Sequence, residues 1–324
     1  MTVGAPALVT GAAGFAGSHL VDALLALGVT VEAWARPETP PVFASVDERV
    51  HWREVELLDR ATVRAALATS RPAAIFHLAG AAHLGASWQH VAATLETNVM
   101  GTANLLEAER ALGLGARTLV PGSATVYRES PDALTEDAPL APASPYAVSK
   151  LAQEQLALRA AAEGQHVIVT RSFNHIGPRQ APTFASASFA RQIASIEHGD
   201  VPPVLRVGNL APRRDLTDVR DTVRAYIALL ARGRPGLVYN VCSGTAPSVQ
   251  EVLNGLLARV AVRVAVEIDP TLYRPHDAPI VVGDHARLTR DTGWRPVISL
   301  DTTLDDLLAF WRHVVQQDNV ASRS

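Results

Sequence analysis

The chain has 324 residues, 48% of them hydrophobic, enough for a core of about two domains. Its formal net charge is −3, with 29 Lys and Arg against 32 Asp and Glu and no basic run, so neither nucleic acid nor an anionic membrane finds an electrostatic footprint on it. A single cysteine, Cys242, excludes an internal disulfide, and no basic leader or apolar run of ~18 residues is present, so a cytoplasmic protein is expected.

In chain order, short apolar runs at 7–9, 29–34, 50–57, 73–78, 116–120 and 167–171 alternate with longer segments of helical period. Among the latter, 15–27, 91–111 and 145–163 are rich in alanine and leucine, which favours helix over buried strand. The alternation predicts a parallel sheet covered by helices on both faces, a doubly wound α/β fold. Two helix starts are chemically marked. Ser144 can cap a helix opened by Pro145, and Ser248 with Glu251 forms a capping-box pattern. Beyond about Asn174, Pro178, Pro182, Pro202, Pro203 and Pro212 break the chain into loops around one helix at 184–198. A helix at 219–231 and a strand at 237–241 rejoin the sheet, followed by a helix, a strand and two more helices.

The run Thr10-Gly11-Ala12-Ala13-Gly14-Phe15-Ala16-Gly17 follows the first strand and opens the first helix. Its glycines permit a tight turn and let backbone amides approach a pyrophosphate at the positive helix end. Gly11, Gly14, Phe15 and Gly17 are therefore candidate cofactor residues, and the fold reads as Rossmann type. The second strand ends Ala33-Trp34-Ala35-Arg36, without the acid that holds the ribose hydroxyls of NAD. Arg36 can instead grip a 2′-phosphate through its planar fork, which favours NADP(H) over NAD(H); a solvent-facing arginine is the plain alternative. Asp59 is placed to accept from the adenine amino group, or to cap a helix beginning at Arg60. Leu78 and Ala79 close the fourth strand, where open parallel sheets place ligands, next to the nicotinamide half; neighbouring His77 reads as a packed side chain. The expected division is a dinucleotide-binding domain of 1–173 plus about 216–243, and a smaller, discontinuous α/β lobe of 174–215 and 244–324 for substrate.

Tyr146 and Lys150 stand four apart on a predicted helix, so both project from one face toward a common ligand. A free tyrosine has a pKa of ~10, which a nearby ammonium and a cationic cofactor draw toward the neutral range. Lysine also suits the nicotinamide ribose, and Ser123, after the strand at 116–120, suits the substrate oxygen that changes protonation. Singly these are a turn serine, a half-buried ring and a solvated charge; together, behind a glycine turn, they form a catalytic set. His83 and His90 lack a second pair of ligands nearby, so no metal site is expected.

Gly11 to Gly17, Ser123 and Tyr146-Ala147-Val148-Ser149-Lys150, with their spacing, resemble the extended short-chain dehydrogenase/reductase family over nearly the whole chain. The segments Arg171 to Pro178, Val207 to Leu210, Arg214 to Asp221, Tyr239 to Gly244 and Arg274 to Asp284 are similar to GDP-4-keto-6-deoxy-D-mannose reductases and their relatives the GDP-mannose 4,6-dehydratases. The resemblance implies that Asn174, Asn209, Arg214, Arg274 and Asp277 line a site for a GDP-linked sugar, with arginines on the diphosphate or ribose. It departs at Asp277, where glutamate is expected, and at Arg179, where the reductases often carry glycine. Arg213 is left open between binding and a solvated role. A homodimer is also implied, the helices at 91–111 and 145–163 pairing with their copies in a four-helix interface.

A dehydratase of this kind removes the C5 proton with a carboxylate just after the catalytic serine or threonine. This chain has Ala124 and Thr125 there, with Glu129 and Asp132 past the expected strand tip. The expected reaction is NAD(P)H-dependent reduction of the C4 ketone of GDP-4-keto-6-deoxy-D-mannose to GDP-D-rhamnose or its C4 epimer. A nucleotide-sugar C4 epimerase with retained NAD, a GDP-mannose 4,6-dehydratase and a non-catalytic nucleotide-sensing protein follow in that order.

Overall fold

The structure is a computed structural model that describes residues 3–37, 45–273 and 278–321; Arg274 and Asp277 lie outside these. The first half runs β1 (Ala7–Thr10), α1 (Phe15–Ala26), β2 (Val31–Ala35), β3 (Val50–Glu54), α2 (Arg60–Ser70), β4 (Ala74–His77), α3 (Leu84–Ser87), α4 (Val91–Leu95), α5 (Gly101–Ala111), β5 (Arg117–Ser123), α6 (Pro145–Ala162) and β6 (Val167–Ser172). The second half runs β7 (Asn174–Ile176), α7 (Ala185–His198), β8 (Val204–Val207), β9 (Arg213–Arg214), β10 (Leu216–Asp218), α8 (Val219–Arg232), β11 (Val238–Val241), α9 (Val249–Leu257), β12 (Ala265–Ile268), β13 (Ile280–Val281), α10 (Ala286–Thr292) and α11 (Leu300–Ala321).

Seven strands form one parallel sheet in the order β11-β6-β5-β4-β1-β2-β3. Every residue of β1, β2 and β4 is buried, as a sheet covered on both faces requires. The strand order reverses between β1 and β4, and that switch point opens a crevice at the carboxyl ends of the strands. Both marked helix starts form: Ser144 accepts from the Ala147 amide, and Ser248 and Glu251 close a capping box.

The structure differs from the sequence reading at the tip of β5. The strand continues to Ser123, with Pro121–Ser123 paired to Thr170–Ser172 of β6, so the serine belongs to the strand and does not follow it. Beyond Leu119, β5 has lost its β4 partner, and a proline without an amide is tolerated there. The helix expected at 91–111 contains a wide π turn at Glu96–Met100, which turns Asn98 inward.

A second core gathers Ile193, Leu205, Leu253, Leu256, Leu307 and Trp311 from α7, β8, α9 and α11. Around it stand three parallel strand pairs, β7 with β10, β8 with β12, and β9 with β13.

Candidate active site

The glycine turn is set by contact. Gly11 has a φ of 66°, and a Cβ there would lie 2.8 Å from the Ala79 nitrogen at the end of β4. A Cβ on Gly17 would fall 2.1 Å from the Gly11 carbonyl oxygen, so α1 rests directly on the turn. Gly14 precedes α1 with no side chain capping the helix, which leaves the first amides to an anion. The cradle fits a dinucleotide pyrophosphate, and Phe15, stacked on His175 at 5.6 Å, joins it to the start of the second half.

From this turn a cleft of about 1270 Å³ runs along the strand ends. Its walls bring together Gly11, Gly14, Phe15, Gly17, Arg36, Leu78, Ala79, Ser123, Tyr146, Lys150, Asn174, Asn209 and Arg214. Asp59 is not among them. Its carboxylate caps α2, accepting from the Ala61 and Thr62 amides at 2.9 and 3.2 Å and the Thr62 hydroxyl at 2.6 Å, and these bonds hold it below the ordinary carboxylate range. Glu56, three residues earlier, is the acid that lines the cleft at the end of β3. Arg213 is also outside the wall, 3.3 Å from Glu251, whereas Arg214 is in it, donating to the Arg213 and Ala278 carbonyls at 2.7 and 2.6 Å. Arg179 takes a φ of 71°, the left-handed region that glycine suits best, and pairs with Asp22 of α1 at 2.7 Å.

Ser123 Oγ lies 2.9 Å from Thr125 Oγ1. Desolvation raises the Tyr146 phenol above its ordinary value, opposed by a hydrogen bond with Ser123. The expected pull of Lys150 on that phenol is not what dominates in the polypeptide, because the ammonium turns to the Pro121 carbonyl at 2.6 Å and to Gln153. Burial brings the Lys150 amine down to about 8. Lys150 is also the only lysine among the chain's 29 basic residues, a compositional mark of function that the spacing argument did not use.

Cleft residues that the sequence did not single out include Glu56, Arg128, Gln180, Arg206 and Tyr226, and Glu129, weighed as an acid past the strand tip, also lines it. Of the five not singled out, Glu56 alone had a signal, an acid near a strand end. His77 is packed as expected: it is buried, bonded to Thr10 and Thr102, and desolvation brings it down to about 3. Cys242 is fully buried. Among the described residues no group of three or more His, Cys, Asp or Glu gathers for a metal, and no helix is long and apolar enough to cross a membrane.

A doubly wound sheet, a glycine turn from β1 into α1 and a Ser-Tyr-Lys set at the cleft define an enzyme of the extended short-chain dehydrogenase/reductase class, which works with a nicotinamide cofactor. The family described as GDP-mannose 4,6 dehydratase matches residues 8–307. The chain is 38% identical over 316 residues to GDP-6-deoxy-D-mannose reductase of Pseudomonas aeruginosa, covering 96% of this chain and 98% of that one. It is 26% identical to a GDP-mannose 4,6-dehydratase of Vibrio cholerae, covering 95% of each. Among solved structures, RMD from Pseudomonas aeruginosa complexed with NADPH superposes with a TM-score of 0.84 at 34% identity, covering 95% of this chain and 99% of that one. The Thermus thermophilus UDP-glucose 4-epimerase complex with NAD gives 0.83 at 29% identity, covering 94% and 98%. The chain belongs to the GDP-mannose 4,6-dehydratase family.

Proposed function

We propose that the protein reduces the C4 ketone of GDP-4-keto-6-deoxy-D-mannose with NADPH, giving GDP-D-rhamnose or its C4 epimer. The tip of β5 carries this reading. Ser123 and Tyr146 share the cleft, while the positions after Ser123 are Ala124 and Thr125, neither of which removes a C5 proton. Glu129 also lines the cleft, but it is exposed and four residues further on. The likeness to the Pseudomonas reductase supports the same chemistry.

The cofactor supplies a hydride when bound. The turn of Gly11, Gly14, Phe15 and Gly17 would hold its pyrophosphate at the uncapped start of α1, Arg36 its 2′-phosphate, Glu56 its adenine amino group, and Leu78 and Ala79 its nicotinamide half. The absence of an acid at the end of β2, with Arg36 in the cleft wall, favours NADP(H) over NAD(H). Tyr146 gives its proton to the C4 oxygen as negative charge develops there, and Ser123 orients that oxygen through its hydroxyl. The Lys150 ammonium offsets the tyrosinate that remains, which lowers the phenol toward a useful range. Asn174, Asn209 and Arg214, with Arg274 and Asp277, hold the sugar nucleotide. The dinucleotide domain comprises 1–173 and about 216–243, and 174–215 with 244–324 form the substrate lobe.

Self-association through the helices expected at 91–111 and 145–163 completes the reading. Trp88 is 52%, Met100 51% and Val148 46% exposed on or beside those helices, apolar surface that a second copy would cover. A cytoplasmic setting suits the single buried thiol of Cys242.

The test is NADPH and NADH oxidation, followed by absorbance with GDP-4-keto-6-deoxy-D-mannose, wild type beside Tyr146→Phe. Consumption of NADPH that the substitution lowers by about 10²- to 10⁴-fold supports the reductase. Interconversion of unmodified UDP- or GDP-hexoses without added cofactor, and no oxidation, overturns it in favour of an epimerase.

A further inference from the structure

Behind the catalytic face, a chain of buried side chains leads from the glycine turn to Lys150. The Ala79 amide donates to Thr10 Oγ1 at 3.1 Å, Thr10 Oγ1 lies 2.9 Å from His77 Nδ1, and His77 Nε2 lies 2.9 Å from Thr102 Oγ1. Gln153 Nε2 donates to the same Thr102 oxygen at 2.7 Å, and Lys150 Nζ donates to Gln153 Oε1. Gln153 is fully buried.

The directions in this chain are decided by chemistry. An ammonium only donates, so the amide of Gln153 must turn its oxygen to Lys150 and its nitrogen to Thr102. The Thr102 hydroxyl gives its proton to the Asn98 carbonyl at 2.8 Å, so toward Gln153 and His77 it can only accept. His77 therefore carries its proton on Nε2 and accepts from the Thr10 hydroxyl at Nδ1. No member is free to turn without leaving a buried donor or acceptor unmet.

We propose that Gln153 is a positioning residue for Lys150: its amide oxygen and the Pro121 carbonyl take two of the three ammonium N–H groups, so that the third faces the ligand in the cleft. Lys150 and Pro121 both line that cleft, and Gln153 does not, so it acts through the lysine alone. The inference rests on the reading of Lys150 as catalytic. An acceptor on Nζ also favours the charged amine, against the desolvation that brings it down to about 8.

The titratable groups around Lys150 are few. β4 presents His77, which burial keeps neutral, and α6 itself presents Tyr146. Glu154 on α6 is committed to Arg171 of β6 at 2.7 Å. β5 offers the Pro121 carbonyl and Ser123, α5 and the turn before it offer Thr102 and Asn98, and Tyr226 of α8 stands near Tyr146.

The test uses the fact that the sequence has one lysine. In the full protein grown with [13Cε]lysine, a single resonance titrates, with no assignment needed. Gln153→Leu removes the acceptor and should lower its midpoint by about one pH unit or more, the scale of a hydrogen bond to a charged group. Gln153→Glu keeps an acceptor, adds a charge and should raise it. Should Gln153→Leu fail to fold, Gln153→Glu and Thr102→Val, which unmoors the amide and should lower the midpoint less, carry the comparison. Midpoints in the folded variants all within about 0.3 unit of wild type overturn the proposal. In the reductase assay the alkaline limb of kcat should move with the midpoint. If no variant and no wild-type protein reduces the keto sugar, the proposed reaction fails, while the titration still decides the role of Gln153.

Discussion

The two ends of the cleft are built by different means. At the proposed cofactor end the backbone itself is the site: Gly11, just past a strand whose residues are all buried, and Gly17, in the first turn of α1, sit where a Cβ has no room. At the substrate end the scaffold is a set of strand pairs two to four residues long, and side chains hold it together. Asp215 alone accepts from the Ser243 amide and hydroxyl and from the Gly244 and Gly283 amides, at 2.7 to 3.2 Å. A site made of backbone tolerates no added atom and changes little; a site made of side chains can be retuned one residue at a time.

The sharpest way to break that contrast is Gly17→Val. Its branched Cβ meets the turn carbonyl and should cost about 3 kcal/mol or more of stability, with loss of dinucleotide binding, read by thermal melting and by NADPH fluorescence titration. A variant that binds NADPH normally would show the turn to be more yielding than its geometry implies. Arg214→Ala probes the other end. It should raise the KM for the GDP-linked sugar by about 10- to 100-fold, the worth of one charge-assisted hydrogen bond, with the KM for NADPH unchanged. Arg36→Ala tests a place where the cofactor end relies on a side chain: the KM for NADPH should rise roughly 10-fold and that for NADH should not.

A further effect is one of pH. The Lys150 amine falls from 10.5 to about 8 on folding, so between those values the unfolded chain binds a proton that the folded chain does not. Stability therefore rises with pH across that window, while reductase activity falls as the ammonium is lost. Melting temperature and kcat measured from pH 7.5 to 10 should move in opposite directions; parallel decline would mean that Lys150 titrates elsewhere.

The same contrast governs what could be read from sequence. The strands and helices of the first half have lengths that reveal their period, and Ser144 and Ser248 mark helix starts by chemistry that needs no tertiary context. β9 and β13 are two residues each, too short for any period, and exist because β9 and β13 pair with one another across 66 residues of chain. Asp59 is open in the sequence between an adenine contact and a helix cap; α2 uses it as its cap, and Glu56 is the acid that the end of β3 turns to the cleft. Ser123 reads singly as a turn serine after a strand ending at 120, yet Gly122 is what admits β6 closely enough to extend the ladder, since a Cβ there would lie 2.5 Å from the Thr170 carbonyl. Gln153 gave no sign, because a glutamine on a helix reads as solvent-facing until the packing of α5 and β5 around it is known.

The solitary lysine also sets what the molecule can suffer chemically. Every other cationic side chain apart from the histidines is a guanidinium, which stays charged near neutral pH and does not acylate, carbamylate or condense with aldehydes as an amine does. Apart from the chain's α-amine, the one amine open to such reagents is the one in the cleft, 9% exposed and partly deprotonated at mildly alkaline pH. Damage to a side-chain amine by cyanate or reducing sugars would therefore fall on the proposed catalytic lysine alone, and the mass added to the peptide that carries Lys150, read apart from that on the α-amine, would count the inactivated sites.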